Sequence, residues 1–451
     1  MVPSARTHNR HPFLAILALL LLTLSGCGYL GYYTRQAHYR QTFDTMPSMS
    51  SLNKLAPEDS LVITGHISRL QQRQEPLMLV AVSSRFRQNE KVAVVQLRQS
   101  ASDEYMAFLP RGEYELFIFA DLDKNGDFEW NELIGRAKAS LDPALSKDGI
   151  VVTGPTITVD FDNPGKVDFR LSETVRPSSY VYASLNDEFF DPKYGTLGLY
   201  NQSELISHNQ GFLFGLEDYD EEKTTVLFVH GIAGTPRDWK FMVEGLDRSR
   251  FQPFFFYYPT GLPLDKMGAL LAQLIQTLDK SAKNGGRKIV LAAHSMGGLV
   301  ALSAIDHLAA DGLPASLKMY CSFSTPYAGD ENARMGSETA PVVVPVWRDI
   351  AADSPFLNDL MKRPFPGSFP YYLFFSYLDD SKFKLGESSD GSVTLRSQLA
   401  TPMQATATKV IGINATHIGI LNSEAARASF QRLLDSVSPR QRAGLNGTAD
   451  R

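Results

Sequence analysis

The sequence is short of cysteine: Cys27 and Cys321 are the only two in 451 residues. Two thiols cannot staple a disulfide scaffold or build a thiolate zinc centre, so buried apolar surface must hold the fold. Positive charge is not in excess either. Lys and Arg number 44 against 49 Asp and Glu, a net charge of −5, which leaves no basic footprint for nucleic acid. A membrane-length apolar run is also missing near the N-terminus. Phe13 to Leu22 is apolar but only about half the ~20 residues a spanning helix needs. What is present is ordinary for a chain that buries sizeable cores: 43% hydrophobic and 21% charged residues. Disordered, collagen-like and polytopic membrane classes are excluded.

Arg6 and Arg10 precede that short apolar run, which is the pattern of a secretory signal peptide. It ends Leu24-Ser25-Gly26-Cys27, which resembles the bacterial lipobox. The resemblance implies that residues 1–26 are a lipoprotein signal peptide and that Cys27 becomes the lipidated N-terminus. Stable anchoring takes more than one acyl chain, which a lipobox cysteine carries. An ordinary signal peptide with a chance cysteine is the alternative. Gly28 in place of Asp after Cys27 implies the outer membrane of a bacterial envelope. Residues 27–54 show no sustained period and read as a tether.

Residues 55–175 carry short runs of Val, Ile, Phe and Tyr between turn signals, such as Leu77 to Val82 and Tyr114 to Ala120. That spacing predicts a small β-sandwich. Within it, Asp121-Leu122-Asp123-Lys124-Asn125-Gly126-Asp127-Phe128-Glu129-Trp130-Asn131-Glu132 matches the calcium-loop pattern at every specified position. Asp121, Asp123, Asn125, the Asp127 carbonyl and Glu132 would supply oxygen ligands to a structural Ca²⁺. The segment entering the loop is strand-like, not helical, so the loop would join two strands. A metal-free acidic turn is the competing reading. Residues 176–221, with Pro177 and an acidic cluster at 218–222, read as an interdomain linker that packs partly on the second domain.

In that second domain, residues 222–438, the pattern changes to strands alternating with helices, which implies a parallel sheet with right-handed crossovers. Thr225-Val226-Leu227-Phe228-Val229 is an uninterrupted apolar strand and ends in His230-Gly231-Ile232-Ala233-Gly234. Thr235 reads as a helix N-cap with Pro236 at the first helical position. Leu264, Met267, Leu270, Leu271, Leu274, Ile275 and Leu278 recur at helical spacing. Lys288 to Ala292 is again a strand and runs into Ala293-His294-Ser295-Met296-Gly297. Small residues two before and two after a serine are what a sharp strand-to-helix turn requires.

The elbow around Ser295, following a strand that ends His-Gly-x-x-Gly, resembles the α/β-hydrolase superfamily and its lipase-like serine esterases. Ala293 replaces the first glycine of the usual pattern. The resemblance implies Ser295 as nucleophile, then an acid, then a histidine. Of the two histidines beyond Ser295, His307 lies on the helix after the elbow, and His417 follows the strand-like Lys409 to Ile413. His417 is therefore the expected base. Asp390, in Asp390-Gly391-Ser392-Val393, resembles the family's acid segment; Asp379 and Asp380 are its rivals. Backbone N–H groups of Ile232 and Met296 would form the oxyanion hole, with His230 bracing its loop. Phe323 to Gly329 resembles the lipases' Thr-Pro-His-x-Gly stretch with Tyr327 in place of His. Trp347 to Leu357 resembles a segment of lipases and GPI inositol-deacylase-like hydrolases. An insert at about 330–367 would cap the site, and its apolar run Pro341 to Val346 either lines an acyl pocket, faces lipid or is plain core. Cys321 is expected to be an inert core thiol.

The expectation is a lipid-anchored serine hydrolase of acyl or lipid esters, working without a catalytic cofactor. An acyltransferase or peptidase would use the same residues, and a non-catalytic lipoprotein binding module is the third reading. Oligomeric state is not legible, and residues 439–451 read as a disordered tail.

Overall fold

The computed structural model describes residues 29–30, 33–34, 60–69, 77–83, 93–95, 104–123, 128–145, 151–167, 185–202, 205, 212–217, 219–280, 287–310, 312–379 and 387–438. Cys27, Asn125, Asp127, Asp380 and the expected tail at 439–451 lie outside the described residues.

Alternation of apolar and polar residues lays out eight strands: β1 (Ser60–Ser68), β2 (Leu77–Ser83), β3 (Ala93–Val95), β4 (Glu104–Pro110), β5 (Gly112–Ala120), β6 (Leu133–Leu141), β7 (Val151–Thr153) and β8 (Ile157–Thr158). One sheet runs β4-β1-β7 with β8 also on β1, and the other runs β3-β2-β5-β6. Leu61 and Ile63 of the first sheet share a buried cluster with Leu79, Leu116 and Ile118 of the second. Two sheets facing one core make the expected sandwich. The sequence reading did not single out β4 and β6. In β6 the exposed Arg136 and Lys138 alternate with Ala137 and Ala139, whose methyl groups are too small to register as an apolar face. The loop from Asp121 to Glu132 joins β5 to β6, so it sits in a hairpin.

The second domain is a sheet of β9 (Leu213–Gly215), β10 (Thr224–Val229), β11 (Phe251–Phe256), β12 (Ile289–His294), β13 (Leu317–Phe323), β14 (Tyr371–Tyr377) and β15 (Lys409–Asn414). Its order is β15-β14-β13-β12-β10-β11-β9. All neighbours are parallel except β9, which runs antiparallel to β11. Chain order reverses between β10 and β12, which opens a crevice beyond their carboxyl ends, the place where open α/β sheets bind ligands.

Helices cover both faces, which is why these strands are apolar throughout. The helices used below are α1 (Pro192–Tyr200), α2 (Leu264–Lys280), α3 (Met296–Ala309), α4 (Glu331–Thr339), α5 (Pro345–Ile350), α6 (Pro355–Lys362) and α7 (Glu424–Val437). Leu227, Val229 and Leu291 pack with residues of α2 and α3. Val226, Phe228 and Val290 point the other way, to Trp239 and to Phe430 of α7. None of the helices formed by described residues is long and apolar enough to cross a membrane. Cys321 is buried on β13, and burial raises its thiol far above the usual range.

Three segments take defined places on the second domain. Residues in the stretch expected as a linker pack into the second domain: Leu185 and Phe190 join its core, and β9 extends its sheet. Tyr29, expected in a tether, packs against the second domain's core as well. Of the readings open for Pro341 to Val346, plain core is the one met at Val342, Val344 and Val346, which are buried in the core cluster.

Phe430 is 1% exposed and meets the rings of Phe228 and Phe323. Phe430→Ala should cost about 3–5 kcal/mol. Urea unfolding followed by fluorescence checks this; an unchanged midpoint would show that α7 is not part of the sheet's packing.

Candidate active site

Ser295 stands where β12 turns into α3, with φ at 53°. A non-glycine residue there carries strain of order 1–3 kcal/mol, kept only where the surroundings over-determine it. The surroundings do. A Cβ on Gly297 would lie 2.4 Å from the His230 carbonyl oxygen, and one on Gly231 would lie 2.9 Å from the Ser295 Cβ. Ala293 is fully buried. The turn therefore closes only with small residues at the positions that the sequence pattern marked.

His417 lies just beyond β15. Its Nε2 is 2.8 Å from Ser295 Oγ, and its Nδ1 is 2.7 Å from Asp390 Oδ2. The carboxylate accepts at Nδ1–H, which leaves Nε2 free to accept the serine hydroxyl. Asp390 is 1% exposed. Its Oδ2 also accepts from Ser376 Oγ at 2.7 Å and Gln398 Nε2 at 3.1 Å. Its Oδ1 accepts from the backbone N–H of Ser392 at 2.9 Å and Val393 at 2.7 Å. Burial alone would raise this carboxyl. The hydrogen bond and charge of His417, with the Ser376 and Val393 donors, outweigh it and hold the group below the usual carboxylate range. Of the rivals, Asp379 accepts from Asn414 Nδ2 at 3.4 Å. His307 pairs with Asp265 at 3.1 Å.

Of the two positions expected to stabilise an oxyanion, Met296 directly follows Ser295, and Ile232 follows Gly231, where a Cβ would lie 2.9 Å from the Ser295 Cβ. Met296 is the first residue of α3, so its N–H is one of the four that a helix start leaves without an intrahelical acceptor. Ile232 sits on the loop after β10. That loop is pinned by a Gly234 N–H to Gly231 carbonyl bond of 3.1 Å and by Ala233 N–H donating to Thr260 Oγ1 at 3.1 Å. Thr235 N–H donates to Asp238 Oδ2 at 3.1 Å in the expected capping arrangement. Burial pushes the Asp238 carboxyl up to about 6. Gly195 of α1 lies so close that a Cβ there would be 2.1 Å from the Ala233 carbonyl oxygen, so α1 braces the same loop.

The sequence reading missed three supports. Ser376 and Gln398 hold the acid, and His294 holds the loop of the base: its Nε2–H donates to the His417 carbonyl oxygen at 2.9 Å. Burial, then the nearby His417, push His294 down to about 3. His230 braces as expected. It stacks on Tyr258 at 4.6 Å, its carbonyl accepts the Tyr258 hydroxyl at 2.9 Å, and burial pushes it down to about 4. Tyr327 is core: its hydroxyl joins those of Tyr320 and Tyr371. Asp349, in the Trp347 to Leu357 segment, accepts from the Leu264 N–H at 2.7 Å and so anchors the start of α2.

At the acidic loop, carboxylate oxygens of Asp121, Asp123 and Glu132 lie within 4.8 Å of one another. Glu132 is buried and accepts from Leu122 N–H at 2.7 Å and Glu129 N–H at 2.9 Å. These bonds aim it into the loop and leave each oxygen a second lone pair. Three hard oxygen donors this close together fit calcium.

His230 and His294 are neutral when folded at pH values where an unfolded histidine, near 6.5, is already protonated. The unfolded chain then binds more protons, so stability falls as pH drops from about 6.5 towards 3. His294→Gln should flatten that acid limb. Urea midpoints measured across this range check it; an identical slope would remove His294 from the balance.

Residues 220–339 match the family described as "Putative serine esterase (DUF676)". The mature form of Bacillus licheniformis lipase BlEst2 is 19% identical, with a TM-score of 0.40, over 49% of this chain and 98% of that one. Phospholipase PlaB from Legionella pneumophila is 15% identical, with a TM-score of 0.33, over 39% of this chain and 45% of that one. No curated protein matches. From its sheet order and nucleophile elbow the second domain has the α/β-hydrolase fold, and its first half is similar to a family of serine esterases.

Proposed function

We propose that the chain is a lipid-anchored serine hydrolase that cleaves acyl esters through Ser295, His417 and Asp390. The observation that carries this is the unbroken hydrogen-bonded line from Asp390 Oδ2 through both His417 ring nitrogens to Ser295 Oγ. Ser295 attacks the ester carbonyl as Nε2 takes its proton. Backbone N–H groups of Met296 and Ile232 receive the developing oxyanion. His417 then returns the proton to the leaving alcohol, and an acyl-enzyme remains. Water deprotonated by His417 attacks it, and the acid and free serine are restored. Asp390 stays ionised throughout and stabilises the imidazolium. Cys27 carries the anchor to the envelope membrane, and the loop 121–132 holds Ca²⁺ through Asp121, Asp123, Asn125, the Asp127 carbonyl and Glu132. The calcium ion serves the sandwich and takes no part in the reaction.

Assays with p-nitrophenyl esters of graded chain length test the hydrolase reading. Ser295→Ala should abolish turnover, and Asp390→Asn should lower kcat by about 10⁴-fold by releasing the wrong His417 tautomer. Full activity in Ser295→Ala would defeat it. A thermal melt tests the metal: calcium should raise the Tm of the wild type and not of Glu132→Gln. No shift at millimolar calcium would remove the ion from the proposal.

A further inference from the structure

Tyr29 stands two residues after Cys27, and it is held firmly. Its hydroxyl donates to the Val342 carbonyl oxygen at 2.9 Å and accepts from the Val342 N–H at 3.2 Å. Its ring stacks on Trp347 at 5.7 Å and meets Tyr200 edge-on at 6.3 Å. Tyr200 and Trp347 also touch edge-on at 6.5 Å. A phenol that uses both hydrogen-bonding roles on one backbone unit, with its ring between two aromatics, occupies a socket.

The walls of the socket belong to the site edge of the sheet. Val342 and Trp347 lie in the segment that leaves the carboxyl end of β13. Tyr200 ends α1, the helix whose Gly195 presses on Ala233 beside the nucleophile. Ser295 follows the carboxyl end of β12, which is parallel to β13. Tyr29 therefore docks on the same edge as Ser295.

Exposed apolar side chains lie in segments next to the socket and next to His417, while Trp130 and Leu145 belong to the sandwich. Among the described residues the large ones are Leu30, Tyr33, Trp130, Leu145, Met335 and Ile418. Leu30 and Tyr33 lie within about one helical turn of Tyr29. Met335 is on α4, next to Gly336, where a Cβ would rest 3.4 Å from the Trp347 ring. Ile418 follows His417 directly. Thus Leu30 and Tyr33 beside Tyr29, Met335 beside Gly336 and Ile418 beside His417 are exposed apolar side chains in segments next to the socket or to Ser295's partner, which suits a surface that meets a bilayer.

We infer that Tyr29 in its socket holds the site edge of the hydrolase domain against the bilayer that carries the N-terminal anchor, so that the enzyme draws acyl esters from lipids of that same leaflet. This rests on the anchored-hydrolase reading above. Two residues of chain keep Cys27 within about 7 Å of Tyr29. A free tether over residues 27–54 would let the domain wander by about 30 Å. The socket turns membrane attachment into a fixed presentation and raises the effective concentration of leaflet lipid at Ser295.

The test uses the full-length lipidated protein in vesicles of phosphatidylethanolamine and phosphatidylglycerol. Fatty acid released from the vesicle lipid is compared with hydrolysis of soluble p-nitrophenyl butyrate. Tyr29→Ala should stay in the membrane fraction, lose about tenfold on vesicle lipid and keep its rate on the soluble ester. Trp347→Ala should do the same, and the double variant should be no worse than either single one, because they break one contact. Tyr29→Phe, which keeps the ring stack, should lose less. An unchanged vesicle rate in Tyr29→Ala, or an equal loss on both substrates, overturns the inference. Failure of the underlying reading is seen elsewhere: Cys27→Ala remaining with the membrane defeats the anchor, and activity in Ser295→Ala defeats the hydrolase.

Discussion

The site depends on a shortage of space between β10 and β12. Where these strands end, the loop 230–235 and the start of α3 approach so closely that positions 231 and 297 have no room for a side chain. That approach forces Ser295 into its strained turn, brings the backbone of the loop beside it, and buries His230 and His294 at the same level. Chemistry follows from packing here. A nucleophile poised on a relaxed turn could not present Oγ and meet His417 while leaving the helix start open to a developing charge.

Electrostatics at the site divide by what each group can reach. Asp390 is as buried as the two bracing histidines, yet it stays ionised because the hydrogen bond and charge of His417, then the Ser376 and Val393 donors, outweigh burial. At His230 burial outweighs the bond to the Gly231 carbonyl, and at His294 it outweighs the His417 carbonyl and the Asp390 charge, so both stay neutral. Neutral braces suit the proposed role of His417, since a fixed positive charge beside it would oppose protonation of its ring.

The sequence showed what is local or ordered along the chain. Ser295 announces itself through the small residues that flank it, His417 through its place after the last strand, and Asp390 through the Asp-Gly turn. Ser376 was hidden in an aromatic strand, and Gln398 had no pattern at all, because each acts only through contacts made across the fold. β6 was hidden by alanines that fill a sandwich core without looking apolar enough. Tyr29 and α1 were read as tether and linker because a short aromatic segment carries no period; their role comes entirely from the surfaces they meet. The calcium pattern was legible as a string, and the hairpin that holds it was legible from the strand before it.

The candidate catalytic residues are not held with equal firmness. Ser295 hangs from β12, in the centre of the sheet, while His417 hangs from β15, which among the described residues pairs with β14 alone. Along β15 only Ile413 is buried. Local opening of an edge costs less than global unfolding. The weak point of the candidate site on heating is therefore His417: it would swing away with its strand while Ser295 still sat in an intact core, and the hydrogen-bonded line between them would break before the fold is lost.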